Sequence, residues 1–293
     1  MLLGGGMNED VRMGPVRLIQ GIEVPSFFYG TAWKEERTET LVLAAIEAGF
    51  RAIDTANQRR HYYEEGVGHA LNKVLETSRL KRGELFLQSK FTFAASQDHR
   101  LPYDPDADYA SQVDQSFSSS LQHLGIDYLD SYILHGPSLG QGLAEADREV
   151  WRAMERLCKA GSVRLIGVSN IREDQLRLLI EFAEIKPAFV QNRCFARTQW
   201  DAKVRRLCTE HGIVYQGFSL LTANVSELKR PVMDQVIKRH GCTKAQAVFR
   251  FALQLGMIPL TGTSDPEHMK QDLSVYDFEL TADEVAMIEK IAA

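Results

Sequence analysis

The chain has 293 residues, of which 44% are hydrophobic, 25% charged and 9% aromatic. That usage excludes a disordered, collagen-like or low-complexity protein and fits one large domain, such as a (β/α)8 barrel of about 250 residues, or two small ones. A net charge of −5 and a pI near 5.9 leave no basic surplus to hold a phosphate backbone, so nucleic acid is not an expected partner.

No apolar run reaches the roughly 18 residues of a membrane span, so no membrane partner is expected. The opening MLLGGGMNEDVRMG has two leucines and no basic segment ahead of them, which does not make a signal peptide. Residues 1–14 are expected to form a flexible tail ahead of a single domain over 15–293. Cys158, Cys194, Cys208 and Cys242 show neither CxxC nor metal-ligand spacing. They predict buried thiols in a reducing cytoplasm and no metal site. No heptad seam or long apolar edge points to assembly, so a monomer is expected.

In chain order, VRLIQGIEVPS gives two extended pieces around Gly21, a small hairpin suited to plugging a barrel's lower end. Eight short apolar runs follow: Phe27–Gly30, Ala52–Asp54, Leu85–Ser89, Ser131–Leu134, Leu165–Ser169, Phe189–Gln191, Val214–Phe218 and Met257–Leu260. Each is too short for a helix and apolar throughout, as strands buried on both faces of a parallel sheet are. Between them lie segments with apolar residues three or four apart, such as LVLAAIEAG, VGHALNKVLE, ASQVDQSFSSSLQHLG, REVWRAMERLCKAG and EDQLRLLIEFAE. Several stop at glycine, at Gly49, Gly125, Gly161 and Gly212. Thr281 with Glu284 marks the capped start of a last helix. The alternation predicts an α/β chain with one (β/α)8 TIM barrel, an N-terminal β-hairpin and an extra C-terminal helix. The rival doubly wound sheet lacks its GxGxxG fingerprint after the first strand.

In a barrel, reactive residues gather at the C-terminal ends of the strands. Polar residues recur there: Asp54, Lys90, His135, Ser169 with Asn170, and Gln191. Taken singly, each reads as a turn former, a solvated loop end or a satisfied structural residue. Their recurrence at one end of successive strands predicts convergence on one mouth.

The stretches GFRAIDTA, FLQSKF, SLQHLGIDYLDSYILHGP, IGVSN and IPLTGTSDPEH resemble the aldo-keto reductases, nicotinamide-dependent (β/α)8 enzymes that reduce carbonyls. The resemblance runs from about Gly21 to the last helix. It implies a catalytic tetrad of Asp, Tyr, Lys and His, with Asp54, Lys90 and His135 matching directly. The Tyr does not match cleanly. The family places it five residues after the Asp, which here is Arg59, while counting back from EEGVG gives His61. The intervening segment is longer than the family's, so Tyr62 is the expected acid, with His61 and Tyr63 as alternatives. In this scheme Lys90, paired with Asp54, lowers the phenol's pKa. Meanwhile His135 donates to the substrate oxygen on which charge builds.

The resemblance also implies a cofactor track. Ser169, Asn170 and Gln191 would hold the nicotinamide carboxamide, with Thr31 and Ala32 nearby. Phe218 would stack on the ring, where Tyr is common in the family. Ser219, Leu220 and Leu221 would cover the pyrophosphate. Thr263, Ser264, His268 and Asp272 would meet the adenosine end. Leu260 or Thr261 stands where NADP-selective members carry Lys, and His268 where they carry Arg. Family habit favours NADP(H) over NAD(H), against the repulsion of Asp265. Trp33, His61 and Tyr103 are expected at the substrate pocket, with His99 a further contact from the long 92–109 loop. The substrate is a small-molecule carbonyl whose identity the sequence does not name. Two other functions fit parts of the pattern: a Schiff-base barrel lyase using Lys90, and a cofactor-binding regulatory barrel with little catalysis.

Overall fold

The computed structural model describes residues 14–293, so the expected tail lies outside the described residues except for Gly14. β1 (Val16–Ile19) and β2 (Ile22–Pro25) pair antiparallel as the hairpin. Gln20 and Gly21 turn the chain with φ of 48° and 82°, the left-handed region that glycine enters freely.

Eight parallel strands then close into a barrel: β3 (Phe28–Gly30), β4 (Ala52–Asp54), β5 (Phe86–Phe91), β6 (Leu129–Leu134), β7 (Val163–Ser169), β8 (Phe189–Arg193), β9 (Val214–Phe218) and β10 (Ile258–Thr261). β10 pairs with both β9 and β3, which leaves no sheet edge. Every residue of β5 and β6 is buried, as strands with a helix outside and a filled interior require. β5 runs past the expected end at Ser89, because Lys90 and Phe91 continue to pair with Ile133 and Leu134.

Ten helices surround the described barrel: α1 (Thr38–Ala48), α2 (Glu64–Glu76), α3 (Tyr109–Leu124), α4 (Glu145–Lys159), α5 (Glu173–Phe182), α6 (Ala202–Glu210), α7 (Pro231–His240), α8 (Lys244–Gln254), α9 (Pro266–Leu273) and α10 (Ala282–Glu289). The Thr281–Glu284 capping box forms as expected, with Thr281 Oγ1 accepting from Glu284 N. α2 and α3 approach closely at Gly68, where a Cβ would stand 2.0 Å from the carbonyl oxygen of His123. Only glycine fits there, which lets α2 pack directly against the end of α3.

The two ends of the barrel differ in chemistry. At the N-terminal end, Ile19 and Val24 of the hairpin pack on Phe28, Ala52, Phe86, Phe189 and Ile258, the first residue of each of five strands. Aromatic contacts of 5.4 Å (Phe28–Phe86) and 6.2 Å (Phe86–Phe189) complete this floor. The hairpin therefore closes the lower end. The register also sets a polar layer above it, aligning Asp54 with Gln88, Gln88 with Ser131, Ser169 with Gln191, and Gln191 with Gln216.

Candidate active site

The opposite end opens into a cavity of about 590 Å³, within the range of small-molecule sites. Three residues at its rim hold left-handed backbone without being glycine: Trp33, Asn170 and Ser219, with φ of 62°, 51° and 55°. Such strain persists only where surrounding structure imposes it, and it collects at functional mouths.

At the base, Lys90 is fully buried and gives its Nζ protons to Asp54 Oδ1 (2.7 Å), Asp54 Oδ2 (2.8 Å) and the Thr55 carbonyl (2.8 Å). Burial pulls the ammonium below its ordinary pKa, while Asp54 opposes that shift. An ammonium with all three protons donated and no exposed surface is poorly placed to attack a carbonyl.

Tyr62 lines the cavity, with its ring centroid 5.1 Å from Lys90 Nζ and 5.9 Å from the His135 ring. The longer loop that delivers it is held from several sides. His61 and Tyr62 donate their backbone N–H groups to the Gln58 carbonyl, and Gln58 Nε2 donates to the Ser96 carbonyl at 2.7 Å. Asn57 Nδ2 donates to the Ser116 carbonyl at 2.9 Å. Two residues beyond Tyr62, buried Glu64 accepts from the hydroxyls of Ser89 and Ser120 and lies 3.3 Å from His123 Nδ1. The alternatives face elsewhere. Tyr63 precedes α2 with its ring under the Arg59 guanidinium at 4.4 Å. His61 stacks on Trp33 at 4.1 Å between ring centroids.

The expected lowering of the phenol's pKa is not what the structure produces. Burial, and then the Asp54 carboxylate, push Tyr62 well above the ordinary tyrosine range. Desolvation is the first cause, and Lys90, bound to both oxygens of Asp54, does not offset it. His135 is pulled down to about 3, first by burial and then by Lys90 and His61, so its ring is neutral at pH 7. Its Nδ1 lies 2.7 Å from the Thr92 hydroxyl, and its carbonyl accepts from Asn170 Nδ2 at 2.8 Å.

Of the residues expected along a cofactor track, Ala32, Ser169, Asn170, Gln191, Phe218 and Ser219 line the cavity. So do Leu220, Leu221, Thr263, His268 and Asp272. Thr31 does not. It is buried, with its hydroxyl given to the Asp54 carbonyl at 2.9 Å, and so braces β3 against β4. Ser264 is exposed outside the cavity. Tyr103, expected at the substrate pocket, is instead 5% exposed, stacks on Phe91 at 5.6 Å and donates to the Thr92 carbonyl at 2.7 Å. An apolar neighbour and a backbone acceptor together outcompete the cleft for it. His99 is exposed away from the cavity, whereas Trp33 stands at its rim, 66% exposed.

Sequence reasoning passed over four residues. Lys34, 7% exposed, lines the cavity and donates to the Gly262 carbonyl, tying the loop after β3 to the loop after β10. Thr92 partners His135. Gln88 and Gln216, both fully buried, reach Asp54 directly or through each other. The available signal was a polar residue inside each apolar run, in FLQSKF and VYQGF.

A closed parallel barrel with a buried Asp–Lys pair beneath a tyrosine and a histidine at its mouth defines a (β/α)8 enzyme-like centre. The aldo/keto reductase family model matches residues 26–293, and the chain belongs to that family, whose chemistry is oxidoreductase chemistry. It is 33% identical over 276 residues to the "Uncharacterized oxidoreductase YtbE" of Bacillus subtilis, covering 94% of this chain and 91% of that one. To the glyoxal reductase of the same organism it is 32% identical over 279 residues, covering 94% and 92%. Among solved structures, an aldo/keto reductase from Brucella melitensis superposes with a TM-score of 0.80 at 28% identity, over 95% of this chain and all of that one. A Bombyx mori aldo-keto reductase in complex with NADP shares the fold, with a TM-score of 0.79 at 24% identity over 96% and 93%. No described helix is long and apolar enough to cross a membrane.

Proposed function

We propose that this chain reduces an aldehyde or ketone to an alcohol, using NAD(P)H and Tyr62 as the general acid. The observation that carries the proposal is the convergence of Tyr62, the Lys90–Asp54 pair and a neutral His135 on one cavity. Family membership supports it, as does the presence of NADP in the Bombyx mori structure.

The residues present fit a nicotinamide cofactor. Asp54 can only accept hydrogen bonds, so Gln191 must turn its NH₂ group inward to donate to Asp54 Oδ1 at 3.0 Å. That orientation leaves Gln191 Oε1 as an acceptor for a carboxamide N–H. Ser169 and Asn170 already donate to the carbonyls of Gln191 and His135, and Asn170 Nδ2 also donates to Ser169 Oγ at 3.2 Å, which leaves Asn170 Oδ1 as a further acceptor for the same group. Phe218 offers a ring face, and the 219–221 segment with Lys34 would border the pyrophosphate. Bound there, a reduced nicotinamide supplies the hydride.

The chain's own residues handle the proton and the charge. Tyr62 stays protonated across physiological pH and donates to the carbonyl oxygen as charge develops on it. Lys90, with Nζ 5.1 Å from the ring centroid, is the positive charge facing the phenolate left behind, and Asp54 offsets part of it. In the tautomer where Thr92 donates to His135 Nδ1, the Nε2 proton is left for the same substrate oxygen. Trp33, with the His61 ring against it, borders the approach. NADP(H) is favoured over NAD(H), with the His268 side chain beside the 2′-phosphate.

NADPH and NADH oxidation with 4-nitrobenzaldehyde tests the proposal. Turnover supports it. Tight cofactor binding without turnover of any simple aldehyde would instead establish a regulatory barrel. Borohydride trapping of substrate on the protein without nicotinamide would establish a lyase.

A further inference from the structure

Beneath the mouth, three glutamines from three strands form a closed amide network around Asp54. Gln88 Nε2 donates to Asp54 Oδ1 at 2.7 Å and to Gln216 Oε1 at 2.9 Å. Gln216 Nε2 returns a hydrogen bond to Gln88 Oε1 at 3.2 Å, and the Ser131 hydroxyl donates to the same oxygen at 2.9 Å. Gln191 Nε2 donates to Asp54 Oδ1 and Gln216 Oε1, both at 3.0 Å. Gln88, Gln216 and Ser131 are fully buried. Such groups are costly to bury, and each here is satisfied by another.

The network fixes its own orientation. A carboxylate cannot donate, so both Gln88 and Gln191 must present nitrogen to Asp54. Ser131 then supports the far side of Gln88, whose two N–H groups and carbonyl are all engaged. Asp54 Oδ1 thus collects two amide donors besides Lys90, while Oδ2 has Lys90 alone.

We propose that Gln88 is a positioning residue of the reductase centre: its amide holds Asp54 Oδ1 and sets how much negative charge reaches Lys90 and Tyr62. The proposal rests on the assignment of Tyr62 as the acid. Each donor on Asp54 draws charge from the carboxylate, weakening both its pull on the ammonium and its repulsion of a forming phenolate. Removing the Gln88 donor leaves Asp54 more negative, so Lys90 binds its proton more tightly and Tyr62 gives up its own less readily. The other ionisable groups acting on this pair are Glu64 and His135, with His61 acting on His135 in turn.

The experiment compares Gln88→Met with Gln216→Met. Both break the reciprocal amide pair and both should lower Tm. Only Gln88→Met removes a donor from Asp54. With 13C-labelled lysine, the Lys90 titration followed by NMR should rise by about 0.5–1 pH unit in Gln88→Met and stay at the wild-type position in Gln216→Met. Aldehyde reduction should slow by up to about tenfold in Gln88→Met, with unchanged cofactor affinity and a matching shift in the pH profile. An unmoved Lys90 titration in Gln88→Met, or an equal shift in both variants, would overturn the inference and leave Gln88 a purely structural amide. The titration needs no turnover, so it is readable even if the wild-type protein reduces no aldehyde, an outcome that would count against the Tyr62 assignment alone.

Discussion

Two buried carboxylates face the same cleft and meet opposite environments. Asp54 and Asp272 are equally hidden, each 3% exposed. Asp54 receives an ammonium on both oxygens and two amides besides. Asp272 receives the Thr261 hydroxyl at 2.7 Å, and burial pushes its pKa up to about 7, with the more distant His268 opposing. Equal burial therefore leaves the two carboxylates with different partners, which the neighbouring strands supply. At the Asp54 end they are complete before any ligand arrives, whereas the Asp272 end has an unneutralised acid where a dinucleotide's adenosine would lie.

Breaking the Asp54 side should have the largest effect. Lys90→Met strands a buried carboxylate, a loss of about 3–5 kcal/mol, so Tm should fall by roughly ten degrees and aldehyde reduction by about a thousandfold. Adding Asp54→Asn should recover much of the Tm and none of the rate. Calorimetry and steady-state kinetics on the two variants check this.

The Asp272 side should respond to pH instead. Its folded pKa lies above the ordinary value near 3.9, so the native state holds the extra proton between pH 4 and about 7. Stability from this group is therefore lost as pH rises through that window. Asp272→Asn should raise Tm more at pH 8 than at pH 5. On the proposed placement of the 2′-phosphate near His268, it should also tighten NADP⁺ more than NAD⁺ at pH 8, because an ionised Asp272 would repel that phosphate. An equal Tm gain at both pH values would refute the assignment.

Smaller effects sharpen the boundary of the site. Trp33→Ala should raise the aldehyde KM by about tenfold with little change in Tm, as expected for an exposed wall. Tyr103→Phe loses one buried hydrogen bond, about 1 kcal/mol, so Tm should fall by a few degrees with KM unchanged.

The barrel was legible because eight apolar runs and their intervening amphipathic helices repeat one unit, and the hairpin because Gly21 divides two extended pieces. The site was legible where a residue ends a strand, as Asp54 does, and less so where tertiary contacts decide. Tyr103 sits in a long loop whose hydrophobic neighbours are distant in sequence, so its burial on Phe91 could not be read. The upward push on the Tyr62 phenol comes first from burial, which depends on how the loop and closed barrel pack around it. Gln88 and Gln216 are 128 residues apart and meet only across the closed barrel.

The central claim is that the lengthened loop delivers Tyr62, and neither neighbour, to the reacting carbonyl. Parallel assays of Tyr62→Phe, Tyr63→Phe and His61→Ala, with NADPH affinity followed by fluorescence, test it most directly. Tyr62→Phe should lose roughly 10²–10⁴-fold in reduction with cofactor affinity unchanged, while the other two keep their rate within about tenfold. Wild-type turnover in Tyr62→Phe, with the loss appearing in His61→Ala or Tyr63→Phe, would contradict the account.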